Sequence, residues 1–297
     1  MFKALLTFDT DAINQNNLRY EANRLSFEYD EELRELCNFL AYDSVAATAF
    51  VRVDQQVEKH FEFLYLMEKL LSAIAKGGNP EVEVGWHPHI YTTDAGAYNV
   101  ARDEAFVAEM LGEVYSSVEE IRLMKCVRIG HCQGGNLIMK ALDEFGFDVD
   151  SSANPGRSLS DVHRHFEWSR CTNPPYHPSL DDYQKAKVQN YDILEVPITT
   201  ITVQAPYDQV PKARAINPCY RHELFVKAIE ENEQSLRDLG FCVMLFHPDE
   251  LIAGYSDDLL LYGFPNFRRN FEFFRQAMGG IEFLTMSEFA RNFETLR

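Results

Sequence analysis

Two carboxylates, Asp9 and Asp11, stand two residues apart in LLTFDTDAI, directly after a short apolar run. Two imidazoles, His87 and His89, share that spacing in EVGWHPHIY. Arg128 and His131 end a third apolar stretch, and His247 ends a fourth, just before Pro248. Residues two apart on an extended strand point the same way, so each pair can present both side chains to one place. Two imidazole nitrogens and a carboxylate oxygen make a ligand set for a borderline transition metal such as zinc, leaving a position for water. A carboxylate outside that set can take a proton from the water, whose pKa falls from about 15.7 to 7 at zinc. Each pattern also has a plainer reading. HxH can be a hydrogen-bonded surface pair. Asp11 can cap the segment that follows it. His247 can be a core histidine at a buried strand end. The joint occurrence at four strand ends favours chemistry.

Those ends depend on the elements that carry them. Residues 3–8, 45–51, 82–87, 126–130, 147–152, 193–204 and 241–247 are apolar runs that predict strands. Helical spacing of apolar residues predicts helices over 29–40, 55–76, 103–119, 136–146, 221–239 and 266–278, and 281–293 reads as strand then helix. Strands alternating with helices argue for βα units around a parallel sheet, whose strand C-terminal ends carry the chemistry. Residues 153–220 break the alternation. They are rich in Pro, Asn, Arg and Tyr and read as a long irregular excursion over one face.

Composition narrows the class. The chain has 297 residues, enough for one large domain. Its net charge of −18 disfavours nucleic acid and anionic membrane surfaces. No apolar window is long enough to span a membrane. The six cysteines form no CxxC pair and fit a reducing compartment as buried thiols. With no secretory signal visible at Met1, a cytoplasmic location is expected. GxSxG is absent, which argues against a serine hydrolase, and GHCQGG lacks the spacing of a phosphate-cradling loop.

Along its whole length the chain resembles the polysaccharide deacetylase family (NodB-homology, carbohydrate esterase family 4). LLTFDTDAI resembles the family's first motif, ATAFV at 47–51 its second strand, and EVGWHPH the motif EIGxHxxxH. VRIGHCQGGNLIMKALDEFGFDVDSS resembles the third motif and the helix and strand after it, ILEVPIT the EIPVT strand, and MLFHPDE the last motif. Two departures stand out. The second histidine is His89 rather than a residue at position 91, which is Tyr91, making this an HxH variant. RxPYG is replaced by Arg-Ile-Gly-His-Cys, so an oxyanion donor would come from the backbone of His131 or its neighbours.

The resemblance implies a distorted (β/α) barrel of the NodB-homology type, a single domain over 1–297 with residues 153–220 inserted over the active-site face. It implies one divalent ion, zinc first and cobalt or another transition metal next, held by Asp11, His87 and His89. Asp9 is then the general base, Arg128 orients it, and His247 protonates the leaving nitrogen. Trp86, His131, Trp168 and Tyr176 are candidates to line the substrate pocket, although the aromatics could equally pack the excursion onto the barrel. The implied activity is hydrolysis of the N-acetyl group of an amino sugar in a polysaccharide or glycan precursor. Alternatives are a hydrolase of a non-sugar amide on the same scaffold, a glycan-binding protein without catalysis, and a two-metal phosphoesterase, for which no second ligand set is evident. The oligomeric state is not legible.

Overall fold

The computed structural model describes residues 1–10, 30–55, 82–94, 97–161, 164–252 and 257–295. In chain order the elements are β1 (Phe2–Asp9), α1 (Asp30–Tyr42), β2 (Ala47–Arg52), β3 (Val82–His87), β4 (Tyr91–Asp94), β5 (Ala97–Val100), α2 (Glu104–Ser117), β6 (Cys126–Val127), α3 (Asn136–Glu144) and β7 (Val149–Asp150). There follow β8 (Ser158–Ser160), β9 (His165–Glu167), β10 (Leu194–Glu195), β11 (Thr200–Val203), β12 (Lys212–Ala215), α4 (His222–Leu239), β13 (Phe241–Phe246), α5 (Phe264–Met278), β14 (Ile281–Phe283) and α6 (Met286–Glu294). The chain divides into two compact units. The first comprises Met1–Ala49, Leu64–Glu83 and Thr199–Thr285; the second comprises Phe50–Phe63, Val84–Ile198 and Met286–Arg297.

In the first unit β1 runs parallel to β13, from Lys3↔Phe241 to Phe8↔Phe246, and its first residues also pair in parallel with β14. Both long strands are almost wholly buried, which is why they read as continuous apolar runs rather than alternating ones. The polar atom in this wall is satisfied: Thr7 Oγ1 donates to the Met244 carbonyl at 2.6 Å. Phe39 of α1 meets Phe267 and Phe271 of α5 edge-on, with ring centroids 5.5 and 5.0 Å apart, a preferred aromatic geometry. Gly240, with φ 79°, takes the left-handed position that ends α4 and turns the chain into β13.

In the second unit β3, β6, β7 and β10 lie side by side in that order, all parallel. A Cβ on Gly85 would run into Cys126 Sγ and the Phe50 ring, so glycine is what lets these strands pack. Asp103 caps α2 by accepting from the Phe106 N–H at 2.9 Å. Tyr115 of α2 stacks on Phe145, just beyond α3, at 4.3 Å.

Several expectations are refined. The helix expected over 55–76 lies outside the described residues. The single strand expected over 193–204 is two: β10 stops at Glu195 and β11 starts at Thr200. Pro197 between them has no N–H to give a ladder, and β11 turns back against β12 as an antiparallel hairpin. The excursion also holds a regular hairpin, β8 with β9. The helix expected over 103–119 ends at Ser117 and gives way to a 3₁₀ turn over Glu119–Leu123. Five cysteines are buried and Cys132 is half-buried. Burial pushes the Cys37 thiol up to about 12. Among the described residues no helix is long and apolar enough to cross a membrane.

Candidate functional site

Trp86 anchors the end of β3. It is wholly buried, its indole donates to the Val53 carbonyl at 2.8 Å, and its ring stacks on Phe147 at 5.7 Å. It therefore works as a strand-end anchor in the core. The next residues are held by the chain leaving β6: the Arg128 N–H donates to Trp86 O at 2.9 Å and the Gly130 N–H to Pro88 O at 2.8 Å. This clamp fixes His87 and His89, both buried.

His87 Nδ1 lies 2.7 Å from the Arg128 carbonyl. A carbonyl only accepts, so Nδ1 carries the proton and Nε2 is left as a lone pair. His87 Nε2 faces His89 Nε2 at 3.0 Å, the rings standing nearly perpendicular. The backbone N–H of His89 donates to Asp54 Oδ2 at 3.2 Å, and Asp54 also takes Arg52 Nε at 2.6 Å. A Cβ on Gly130 would collide with the His89 ring. The other ring nitrogen of His89 meets the Tyr91 hydroxyl at 2.9 Å and His131 Nε2 at 3.2 Å, and those two lie 2.9 Å apart. His131 and Tyr91 thus support His89 from the side opposite His87. A tyrosine hydroxyl can give or take a proton, so this triangle accepts either tautomer of His89.

The donor chemistry fits a borderline transition metal. Two buried imidazoles converge through Nε2, and the far nitrogen of each is hydrogen-bonded, the usual arrangement of metal-ligating histidines. Asp11, the third expected ligand, lies outside the described residues. Among the described residues no group of three His, Cys, Asp or Glu is placed to hold a metal ion.

The Arg128 side chain is fully buried. Its Nε donates to Ser151 O at 2.9 Å, its Nη2 to Ser151 Oγ at 3.0 Å, and the guanidinium lies 4.2 Å from the Phe50 ring centroid. Beyond it, His131 and Cys132 both have φ of 57°. Left-handed backbone at a non-glycine residue costs about 1–3 kcal/mol and persists only where the surroundings hold it. Here Cys132 N–H donates to Ile129 O at 3.1 Å, and the indole of Trp168 donates to Cys132 O at 2.7 Å. Trp168 also fills the space beside Gly134. Trp168 and Tyr176 belong to one buried cluster with Met139, Phe166 and Cys171.

In the first unit Asp9 is buried at the end of β1. The parallel register ends at Phe8↔Phe246, so Asp9 and His247 occupy the next position on neighbouring strands, whose spacing is about 4.8 Å. His247 Nδ1 lies 3.4 Å from Glu250 Oε1. Glu250 is fully buried and is held by Asn217 Nδ2 at 2.8 Å. Of the two acids after Pro248, the one set against the imidazole is Glu250. Three of the remaining histidines have local roles: His165 pairs within the β8–β9 hairpin, His177 Nδ1 meets Ile193 O at 3.2 Å, and His222 Nδ1 meets Asn270 Oδ1 at 2.8 Å; His60 and His163 lie outside the described residues.

Sequence reasoning missed one buried ion pair and one buried pair of acids. Arg52 ends β2 and Asp54 follows it in VRVD, the same strand-then-acid signal as TFD. Asp150 and Glu195 sit inside the apolar runs FDVDSS and ILEVPIT, where an acid is itself the signal.

No family model matches the chain, and no curated protein matches it. Among solved structures, it is similar to a protein assigned as a polysaccharide deacetylase from Mycobacterium smegmatis, at 16% identity and a TM-score of 0.55, over 99% of this chain and 91% of that one. It is also similar to a protein assigned as a glycoside hydrolase/deacetylase from Parabacteroides distasonis, at 10% identity and a TM-score of 0.62, over 100% of this chain and 71% of that one. The likeness is one of fold. The chain has the NodB-homology type of fold, a distorted (β/α) barrel.

Proposed function

We propose that this chain is a metal-dependent hydrolase that removes the N-acetyl group from an amino sugar in a polysaccharide or glycan precursor. The observation that carries the reading is the His87–His89 pair. Its two Nε2 atoms converge, and the Arg128 carbonyl sets the His87 tautomer for ligation. Asp11, His87 and His89 would hold the ion, zinc or another transition metal. Such an ion supplies Lewis-acid polarisation of the acetamide carbonyl and an acidified water.

The chain's own residues do the rest. Asp9 accepts the proton of the attacking water. Arg128 is assigned to orient Asp9. His247, set against Glu250, gives a proton to the departing nitrogen. The main-chain amide of His131, in the strained turn after Gly130, is assigned to the developing oxyanion. Trp86, Trp168 and Tyr176 support the walls of the substrate site from behind, and His131 supports His89. A glycan precursor made inside the cell is the proposed carbohydrate partner, and the cytoplasm is the proposed location.

Acetate release from N-acetylglucosamine oligomers tests the reading. Zinc- or cobalt-loaded protein is expected to release acetate, to stop on chelation and to resume on adding the ion back. Loaded protein that leaves these substrates intact but cleaves small linear or cyclic amides would move the substrate class off sugars. Protein that cleaves neither would overturn the assignment.

A further inference from the structure

Asp150 and Glu195 are Cα partners on the neighbouring parallel strands β7 and β10, and both side chains are completely buried. Partners in a parallel register point to the same face of the sheet. Each carboxyl has one oxygen satisfied. Asp150 Oδ1 accepts from Ser152 Oγ at 2.6 Å, and Glu195 Oε1 accepts from the Ala153 N–H at 3.0 Å. The other two oxygens, Asp150 Oδ2 and Glu195 Oε2, are buried and find no donor among the described residues. Two ionised carboxylates cannot share such a place, because like charges in a dry site repel and neither is solvated.

We infer that Glu195 keeps a proton and donates it to Asp150, leaving Asp150 as the single ionised carboxylate of the pair and making both positioning residues for Arg128 and His87. The assignment follows from the donors. Asp150 has the Ser152 hydroxyl and the field of Arg128; Glu195 has one backbone N–H. The other titratable groups facing the pair are Cys171 and Tyr176. Burial raises both, the Cys171 thiol to about 11, so both are neutral at pH 7. Burial also raises Asp150, opposed first by the hydrogen bond from Glu195. Burial raises Glu195 well above the usual range, and the charge of Asp150 adds to that.

The pair reaches the histidines through a short relay. Ser152 Oγ, which donates to Asp150, accepts the Ile129 N–H at 2.8 Å. Ile129 is bonded to the Arg128 carbonyl that fixes His87. The Arg128 guanidinium meanwhile docks on Ser151, the residue after Asp150. One shared proton therefore underlies both the orientation of the arginine and the tautomer of the histidine. The consequence for turnover rests on the deacetylase reading; the proton itself does not.

The test combines spectroscopy, stability and rescue. Infrared spectra of the metal-free protein at neutral pH are expected to show a protonated-carboxyl stretch that Glu195→Gln removes. Glutamine mimics the protonated acid, so Glu195→Gln is expected to fold and to flatten the fall of stability with rising pH. Glu195→Ala leaves Asp150 without that donor and is expected to lose about 10–100-fold in zinc affinity, the scale for losing a ligand's supporting partner, while Glu195→Gln restores it. Absence of the stretch in the native protein, or a pH slope unchanged in Glu195→Gln, overturns the shared proton. Equal zinc affinity in Glu195→Ala and the native protein overturns the positioning role. A native protein that releases no acetate refutes the deacetylase reading and leaves these three readouts to decide the pair.

Discussion

His87 Nδ1 lies 2.7 Å from the backbone carbonyl of Arg128, so one strand end sets the protonation of the histidine on the next. The side chain of residue 128 is not part of that bond. His87 orientation and Arg128 charge are therefore separable by mutation. Arg128→Met is expected to leave zinc affinity within about ten-fold of native while removing turnover by roughly 10²–10⁴, the scale for losing a group that supports acid–base catalysis. Isothermal titration with zinc and an acetate assay on the same protein check this. A parallel loss of both would place the guanidinium in metal binding.

Tyr91 stands where the resembled motif has its second histidine, and the structure gives it a supporting part instead. Tyr91→Phe removes a hydroxyl shared between His89 and His131. The expected result is a loss of zinc affinity of about 10–100-fold. Thermal unfolding of the metal-free protein should change little. The double variant with His131→Ala should be non-additive, since all three groups form one network.

Gly130→Ala tests the close approach of the two strand ends. Gly130 is not among the positive-φ residues, so alanine meets no backbone penalty there. Its Cβ would instead press into the His89 ring. Overpacking of this kind costs about 1–3 kcal/mol. Denaturant unfolding should register it, and zinc affinity should fall with it because the ring must move.

Much of this was legible from residue types alone. The strands β1, β3 and β13 announced themselves as apolar runs closed by Asp9, His87 and His247, because parallel strands buried on both faces read as near-continuous apolar runs and a polar residue at their end stands out. The His87–His89 spacing put both rings together for the same reason. Two things were not legible. Which acid would face His247 depended on the 3₁₀ turn over Pro248–Leu251, and local spacing does not say how that turn orients Asp249 and Glu250. The pairing of Asp150 with Glu195 joins residues 45 positions apart through strand register, which an apolar pattern does not encode.

Glu250→Ala should expose what that turn does. It removes the carboxylate 3.4 Å from His247 and takes the acceptor from the half-buried amide of Asn217. A lost hydrogen bond of this kind costs about 0.5–1.5 kcal/mol. Glu250→Gln keeps a partner for Asn217 and should recover most of that stability while turnover stays low. If Glu250→Gln turns over as the native protein does, the carboxylate charge has no part in placing His247.

The buried thiols give a pH prediction. Folding raises Cys37 and Cys171 to about 12 and 11, against about 8.5 in an unfolded chain. Between those values the folded state holds protons that the unfolded state releases. The thiols' contribution to stability is therefore complete below about pH 8.5 and declines as pH rises toward the folded values. Urea unfolding from pH 7 to 10 should show the decline, and Cys171→Ser should reduce its slope. Native Cys37 and Cys171 should react with a thiol reagent at neutral pH only as fast as the protein opens.

Zinc retained per chain after loading and exhaustive dialysis bears most directly on the central claim. The account predicts one equivalent in the native protein and almost none in His87→Ala or His89→Ala, with all three folded by circular dichroism. A native protein that keeps no more zinc than these two variants would contradict it.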